Sequence, residues 1–141
     1  MAEQYGNPAD ASLAELKAVA RLLVDSWNRR DAEAFGKLFT PLAEYVSGAG
    51  ERIRGRQAIA ELLGKAAPAT QVSLAGEPVG VCDAGSGELR FMWSSADTSG
   101  VPRHGTITCA CTRQGRGWLI EALHNDETGN VEESRGSPTR S

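Results

Sequence analysis

Two short stretches decide the fold of this chain. The first is Trp27-Asn28-Arg29-Arg30-Asp31, and the second runs from Tyr45-Val46-Ser47-Gly48-Ala49-Gly50 into Ile53-Arg54-Gly55-Arg56-Gln57-Ala58-Ile59. The first joins two helices, because Asp31 is a residue type that caps helix N-termini. The second combines an aromatic strand, a glycine turn and the start of another helix. Together they predict two helices, a short strand and a third helix ahead of whatever follows.

The helix that ends near Trp27 is predicted from an apolar stripe. Ser12 with Glu15 three residues later is typical of a capping box. Apolar residues then recur at spacings of three and four, at Leu13, Leu16, Ala20, Leu23 and Trp27. Residues 1–11 are predicted to form a flexible N-terminus, since terminal residues with glycine and proline are rarely ordered. One face of this helix should therefore cover a core.

The next segment is predicted to be a short helix, a strand and a helix. Asp31 caps the short helix, which buries Phe35, Leu38 and Phe39 and ends at Pro41. Tyr45 and Ser47 share a face of the strand, because side chains alternate along a strand. The third helix is predicted from Gln57 to Lys65.

From Gln71 onward the pattern is that of strands and turns. The faces rich in apolar residues should point inward; they comprise Leu89, Phe91, Trp93, Ser95 and Asp97, then Ile107, Cys109 and Cys111, then Trp118, Ile120, Ala122 and His124. Helices followed by hairpin-connected strands predict an α+β fold. We expect a cone-shaped, curved antiparallel sheet over residues 12–127 with N-terminal helices closing a pocket, and a disordered tail over 128–141.

Composition excludes several classes of function. The chain has 141 residues and a net charge of -3, so it lacks the basic surface that binds nucleic acid. No apolar run is long enough to span a membrane. The N-terminus lacks the basic-then-apolar pattern of a signal peptide, and three cysteines are an odd number for a disulfide framework. We therefore expect a cytoplasmic protein with reduced thiols.

The order of several motifs resembles the SnoaL-like proteins of the nuclear transport factor 2-like superfamily, above all the branch containing SgcJ and EcaC. The motifs are Trp27-(x)3-Asp31, Phe39, Tyr45-Val46, Gly50, Gly55-Arg56-(x)2-Ile59, Gly117-Trp118-x-Ile120 and His124-Asn125. The resemblance covers residues 13–125. It implies a cone-shaped α+β barrel, usually a homodimer, with a deep apolar pocket, and an activity that needs no cofactor. Relatives include polyketide cyclases, isomerases, dehydratases and epoxide hydrolases, while others only bind or assemble.

Two mechanisms of relatives are not carried over. Ser47 stands where ketosteroid isomerases have a catalytic aspartate, and a hydroxyl without a partner is not a base at neutral pH. The arginine and two aspartates of limonene epoxide hydrolases have no counterparts at matching spacing. Tyr45 and Ser47 do fall where those hydrolases position a water.

Four residues are candidates for catalysis. His124 is the first choice as general acid or base, because its unperturbed pKa of about 6.5 lies near working pH; a buried, hydrogen-bonded histidine is the alternative. Asp97 or Asp126 would support it, although Asp97 also suits a pair with Arg103. Tyr45 would donate to a carbonyl or enolate oxygen, unless it is a core aromatic residue.

A further set is predicted to bind a hydrophobic, flat ligand: Trp27, Phe39, Ser47, Phe91, Trp93, Ser95 and Asn125. We expect no metal site, since Cys109 and Cys111 lack the usual spacing of zinc ligands. Three functions stay open. The chain is a cofactor-free enzyme of polyketide-type metabolism, a binding or self-resistance protein that sequesters an aromatic natural product, or a dimeric assembly domain.

Overall fold

The computed structural model describes residues 8–65, 71–96, 102–115 and 117–127. The helices are α1 (Pro8–Asn28), α2 (Ala32–Gly36), α3 (Arg56–Ala60) and α4 (Leu62–Lys65). The strands are β1 (Phe39–Val46), β2 (Arg52–Arg54), β3 (Gln71–Leu74), β4 (Val79–Cys82), β5 (Ser86–Ala96), β6 (Pro102–Gln114) and β7 (Gly117–Glu127). Asp97 and the predicted tail, residues 128–141, lie outside the described residues.

The strands form one curved, unclosed sheet in the order β2-β1-β7-β6-β5-β3, with β4 also paired to β5. All described pairs are antiparallel except β1 with β7, which is parallel. The helices cover the concave face. The predicted α+β cone is therefore confirmed, with one parallel pair added to the expected antiparallel sheet.

Helix α1 lies across the concave face and buries its apolar stripe. Leu16 and Ala20 are fully buried, and Leu23 is nearly so. The helix begins at Pro8 rather than at the predicted cap Ser12; proline fits the first turn because its missing N–H is not needed there. The carbonyl of Ser12 instead accepts a hydrogen bond of 3.1 Å from the Trp118 indole.

The corner after α1 is formed as the sequence predicts. The backbone of Arg30 has a φ of 58°, and Asp31 caps α2 by accepting a hydrogen bond from the Ala34 N–H at 3.1 Å. The amide of Asn28 spans from α1 to the edge strand β3. Its Nδ2 donates to the Val72 carbonyl and its Oδ1 accepts from the Val72 N–H, both at 2.8 Å. We call this pair of bonds the Asn28 bracket.

Two predicted element boundaries are wrong. Phe39 does not belong to the second helix, which ends at Gly36, but begins β1 and is fully buried. Pro41 lies inside β1, where the pairing with β7 is irregular between Phe39 and Glu44; proline is tolerated there because a bulge leaves an N–H unneeded. The predicted third helix is two short helices, α3 and α4.

The core lies between the helices and the concave face of the sheet. Its largest fully buried side chains are Phe39, Leu16, Ile59, Leu89 and Ile120. Cys109 and Cys111 point into this core as small apolar residues, as their parity predicts. Within the described ranges, no helix is long and apolar enough to cross a membrane.

Candidate functional site

An apolar chamber of about 80 Å³ lies between α1, α2 and the sheet. Residues from both helices and from five strands line it, among them Leu23, Trp27, Phe35, Tyr45, Phe91 and Trp93. The chamber is the space that remains because large aromatic side chains meet across the cone without filling it. Its lining suits an apolar group.

The chamber opens into a more polar mouth of about 350 Å³. Trp27, Tyr45, Val72, Trp93 and Asn125 line both spaces, so the two form one site. The residues found only at the mouth are largely polar and include Ser47, Ser95, Arg103 and Glu127. An apolar interior with a few polar groups at one end is typical of a small-molecule site.

Aromatic rings fix one wall of the site. Trp27 meets Phe35 edge to face at 5.8 Å between ring centroids, and Phe35 packs on Phe39 at 5.4 Å. Phe39 then packs on Tyr45 at 6.4 Å. Phe39 was predicted to contact ligand, but it does not line the chamber or the mouth. It supports Tyr45 from behind, since it begins the strand that carries Tyr45.

The opposite wall is fixed by one hydrogen bond between strands. The indole N–H of Trp93 donates to Asn125 Oδ1 at 2.9 Å. Gly105 lies opposite Trp93 in the β5–β6 register, and a Cβ there would come within 2.9 Å of the indole. The glycine thus provides the space in which the Trp93 ring reaches Asn125. Both residues were predicted ligand contacts, and the structure brings them together.

Tyr45 is the one titratable side chain that lines the inner chamber in the described part of the chain. Burial raises its pKa to about 12, with smaller contributions from Cys109 and from the Glu127 carboxylate. The phenol is therefore protonated at neutral pH and is available as a hydrogen-bond donor. It is not a base under these conditions.

An ion pair lies at the mouth. Glu127 accepts two hydrogen bonds from the Arg103 guanidinium, at 2.6 and 2.8 Å. The alternative role of Asp97, a pair with Arg103, stays a prediction because Asp97 lies outside the described residues. Sequence reasoning missed Glu127 as a site residue because it expected the even-numbered residues at the end of β7 to face inward.

The inward orientation predicted for His124 and Asp126 is wrong. Both side chains are exposed, whereas Leu123 is 2% exposed and Asn125 lines the chamber. The cause is a β-bulge: Ala110 pairs with Ala122 but Cys111 pairs with Ile120, so Glu121 is an extra residue in β7. One extra residue moves every later side chain to the other face.

The remaining predicted site residues line the chamber or the mouth. Phe91 lines the chamber and Ser95 the mouth, as predicted. Ser47 also lines the mouth, but its hydroxyl accepts from the N–H groups of Ala49 and Glu51 at 3.2 Å, which stabilises the turn after β1. In the described ranges, no three His, Cys, Asp or Glu side chains are grouped as metal ligands.

Comparison with solved structures places the fold. The chain is similar to a nuclear transport factor 2-like protein with a cystatin-like fold from Novosphingobium aromaticivorans, at a TM-score of 0.70 and 20% identity, covering 79% of each chain. It is similar to a ketosteroid isomerase-like protein from Erwinia carotovora atroseptica, at a TM-score of 0.70 and 16% identity, covering 84% of this chain and 98% of that one.

A third similar structure is a protein of unknown function from Mycobacterium tuberculosis, at a TM-score of 0.73 and 18% identity, covering 88% of this chain and 80% of that one. No protein-family model and no curated protein matches the sequence. At these identities the likeness establishes the fold. The molecule therefore has the nuclear transport factor 2-like cone fold, with the chamber where the helices meet the sheet.

Proposed function

We propose that this protein binds a hydrophobic, aromatic or polyketide-like small molecule in the chamber and mouth. The main support for this proposal is the site itself, an apolar chamber lined by Trp27, Tyr45 and Trp93 that opens into a more polar mouth. The resemblance to the SgcJ and EcaC branch of the SnoaL-like proteins supports a role in natural-product metabolism. The name of the ketosteroid isomerase-like neighbour is consistent with a pocket for a small organic molecule.

The dimensions of the site limit how a ligand is bound. An apolar cavity of roughly 150 Å³ holds one benzene molecule, whereas this chamber has about 80 Å³. A multi-ring compound therefore places one edge or a small substituent in the chamber and its remaining rings in the mouth, beside Trp27 and Trp93. Such a ligand keeps part of its surface in water.

Charge distribution favours binding over acid–base catalysis by the predicted histidine. His124 is on the convex face, and the titratable group of the chamber, Tyr45, is a neutral phenol. A carrier or sequestering protein needs an apolar pocket and neutral hydrogen-bond donors, which these residues supply. We therefore place the binding role first and the catalytic role second.

One observation favours a catalytic alternative. Glu127 lines the mouth, and its carboxylate is near enough to the Tyr45 phenol to contribute to the raised pKa of Tyr45. In a cofactor-free isomerase or dehydratase, Glu127 would accept a proton from a carbon beside a carbonyl, and Tyr45 would donate to the developing oxygen. Glu127→Gln should then lower turnover by roughly 10²–10⁴-fold.

Tryptophan fluorescence tests the proposed function. A panel of polyaromatic and polyketide-like compounds should quench emission saturably in the wild type and in Trp118→Phe, because Trp118 lies outside the site. Quenching should weaken in Trp27→Phe and in Trp93→Phe. Mass spectrometry of the recovered compound separates binding, in which its mass is unchanged, from catalysis. Absence of quenching across the panel would contradict the proposal and favour an assembly domain.

Two further features belong to the proposal. The protein is a homodimer, as the resemblance implies. We also propose that it is cytoplasmic; the free thiols of Cys82, Cys109 and Cys111 are compatible with a reducing compartment.

A further inference from the structure

Two hydrogen-bond donors in the site have no partner among the described residues. Trp27 Nε1 and Ser95 Oγ each expose less than 1 Å² to solvent, and neither forms a hydrogen bond with another described residue. Both side chains line the mouth, and Trp27 also lines the chamber. Buried polar groups are almost always paired, so two unpaired groups in one pocket call for an explanation.

A third donor follows from the Trp93 contact. An indole N–H only donates, so the atom of Asn125 that faces Trp93 is the amide oxygen. The Asn125 NH₂ group then points the other way, toward Gly48 at the mouth, where a Cβ would lie 3.5 Å from it. The orientation of the amide is thus determined by its partner.

The polar groups in this site that are free to meet a ligand are therefore all able to donate a hydrogen bond. The Trp27 indole and the Asn125 NH₂ group only donate, and the Ser95 and Tyr45 hydroxyls are able to donate. The acceptor at the mouth, Glu127, is bound to Arg103. A ligand that offers donors would leave the indole unpaired, whereas a ligand that offers an acceptor oxygen pairs with it.

We propose that the ligand carries a neutral carbonyl oxygen, of the aryl ketone or quinone type, and that the Trp27 indole and the Ser95 hydroxyl hold it where the chamber meets the mouth. This inference rests on the proposed binding function. A carboxylate fits less well, because a buried anion needs a cation and the Arg103 guanidinium already pairs with Glu127. An ammonium group also fits less well, because it would leave the Trp27 indole N–H unpaired.

Isothermal titration calorimetry with matched probes tests this inference. The probes are 2-acetylnaphthalene, the alkene of the same shape 2-isopropenylnaphthalene, and 2-naphthoate. We expect the ketone to bind at least about fivefold more tightly than the alkene, the effect of one net hydrogen bond. We expect the naphthoate to bind no better than the alkene.

Variants assign the preference to the two donors. Ser95→Ala and Trp27→Phe should each reduce the ketone preference several-fold. Ser94→Ala is the matched control, since Ser94 is the neighbouring serine of β5 and lies on the opposite face of the sheet. Ser95→Ala should not lower the melting temperature of the ligand-free protein, because an unpaired buried hydroxyl contributes no hydrogen bond to lose.

The outcomes separate this inference from the proposed function. Equal affinity for ketone and alkene would overturn the carbonyl assignment and leave a hydrophobic binding site. A melting temperature lowered by Ser95→Ala would also overturn it, because the hydroxyl would then have a structural partner such as an ordered water. Failure of all three probes to bind would contradict the binding function and the inference with it.

Discussion

At the scale of single residues, the site depends on which neighbours in β7 face inward. Asn125 and His124 are adjacent in the chain, yet Asn125 lines the chamber and His124 faces solvent. Residue type alone pointed to His124, because histidine is the side chain that most often transfers protons at neutral pH. The structure instead gives the site an amide that holds the Trp93 indole.

We therefore expect opposite results from two neighbouring substitutions. Asn125→Ala should weaken binding of an aromatic ligand about five- to tenfold, since it removes the hydrogen bond that positions Trp93. His124→Ala should leave the affinity unchanged. Fluorescence titration of both variants with the same compound measures this. A loss of affinity in His124→Ala alone would show that β7 lacks the described bulge.

Tyr45 gives a prediction about pH. Burial raises the pKa of Tyr45 from 10.0 to about 12 in the folded protein. The unfolded chain, in which Tyr45 is not buried, therefore loses this proton first as the pH rises. Tyr45 therefore stabilises the fold fully below pH 10, and this contribution is lost between pH 10 and about 12. At about 1.4 kcal/mol per pKa unit, the free energy of unfolding should fall by about 2–3 kcal/mol in that window.

Urea denaturation from pH 9 to 12 measures the effect of Tyr45, with Tyr45→Phe as the control. Burial also raises the pKa of Cys109 and Cys111, so those thiols cause a decline of the same sign from about pH 9. Tyr45→Phe should keep the part of the decline in the free energy of unfolding that the cysteines cause and lose the part that Tyr45 causes. An unchanged slope above pH 10 in the variant would contradict the buried phenol.

At the scale of helices and strands, the sequence predicted the features that depend only on residues near each other in the chain. The cap at Asp31, the stripe of α1 and the alternation of β5 follow from spacing, and each is present. The bulge in β7 has no such signal, because Ile120, Glu121 and Ala122 suit an unbroken strand equally well. Its position is set by pairing with β6 and β1, which is non-local.

Deletion of Glu121 should leave the later side chains of β7 on the faces they have now. Without the extra residue, Ile120, Ala122 and Leu123 alternate regularly, so Leu123 stays buried and His124 stays exposed. Glu121→Ala retains the bulge and should change the free energy of unfolding by no more than about 0.5 kcal/mol. Guanidinium denaturation compares the two variants. A deletion variant less stable than Glu121→Ala by about 2–5 kcal/mol, the cost of a lost buried leucine, would show that β7 has shifted its register instead.

At the scale of the whole molecule, the sequence predicted the architecture better than the site. The order of helices and strands indicates a cone, because amphipathic elements in that order have few ways to bury their apolar faces. The depth of the cone does not follow from that order, because it depends on how Trp27, Phe35 and Phe39 pack. A chamber of about 80 Å³ is the small remainder of that packing, and no pattern of residue types encodes it.

The convex face of the sheet is where we expect the second copy to bind. Met92 is 55% exposed there, and Thr106, Thr108 and His124 continue the same face across β5, β6 and β7. Analytical ultracentrifugation should give about twice the chain mass of 14.9 kDa. Thr108→Glu should give a monomer, while Gln114→Glu, at the far end of β6, should not. A monomeric wild type would contradict the dimer.

The Asn28 bracket has a consequence for solubility. Strand β3 is at the edge of the sheet, where unpaired backbone groups can recruit a strand from another chain. The amide of Asn28 occupies both backbone groups of Val72, as a neighbouring strand would. Asn28→Ala should therefore aggregate faster than the wild type on heating, as measured by light scattering, and equal rates would contradict this role. The last turn of the first helix should therefore hinder the addition of a further strand at this edge of the sheet.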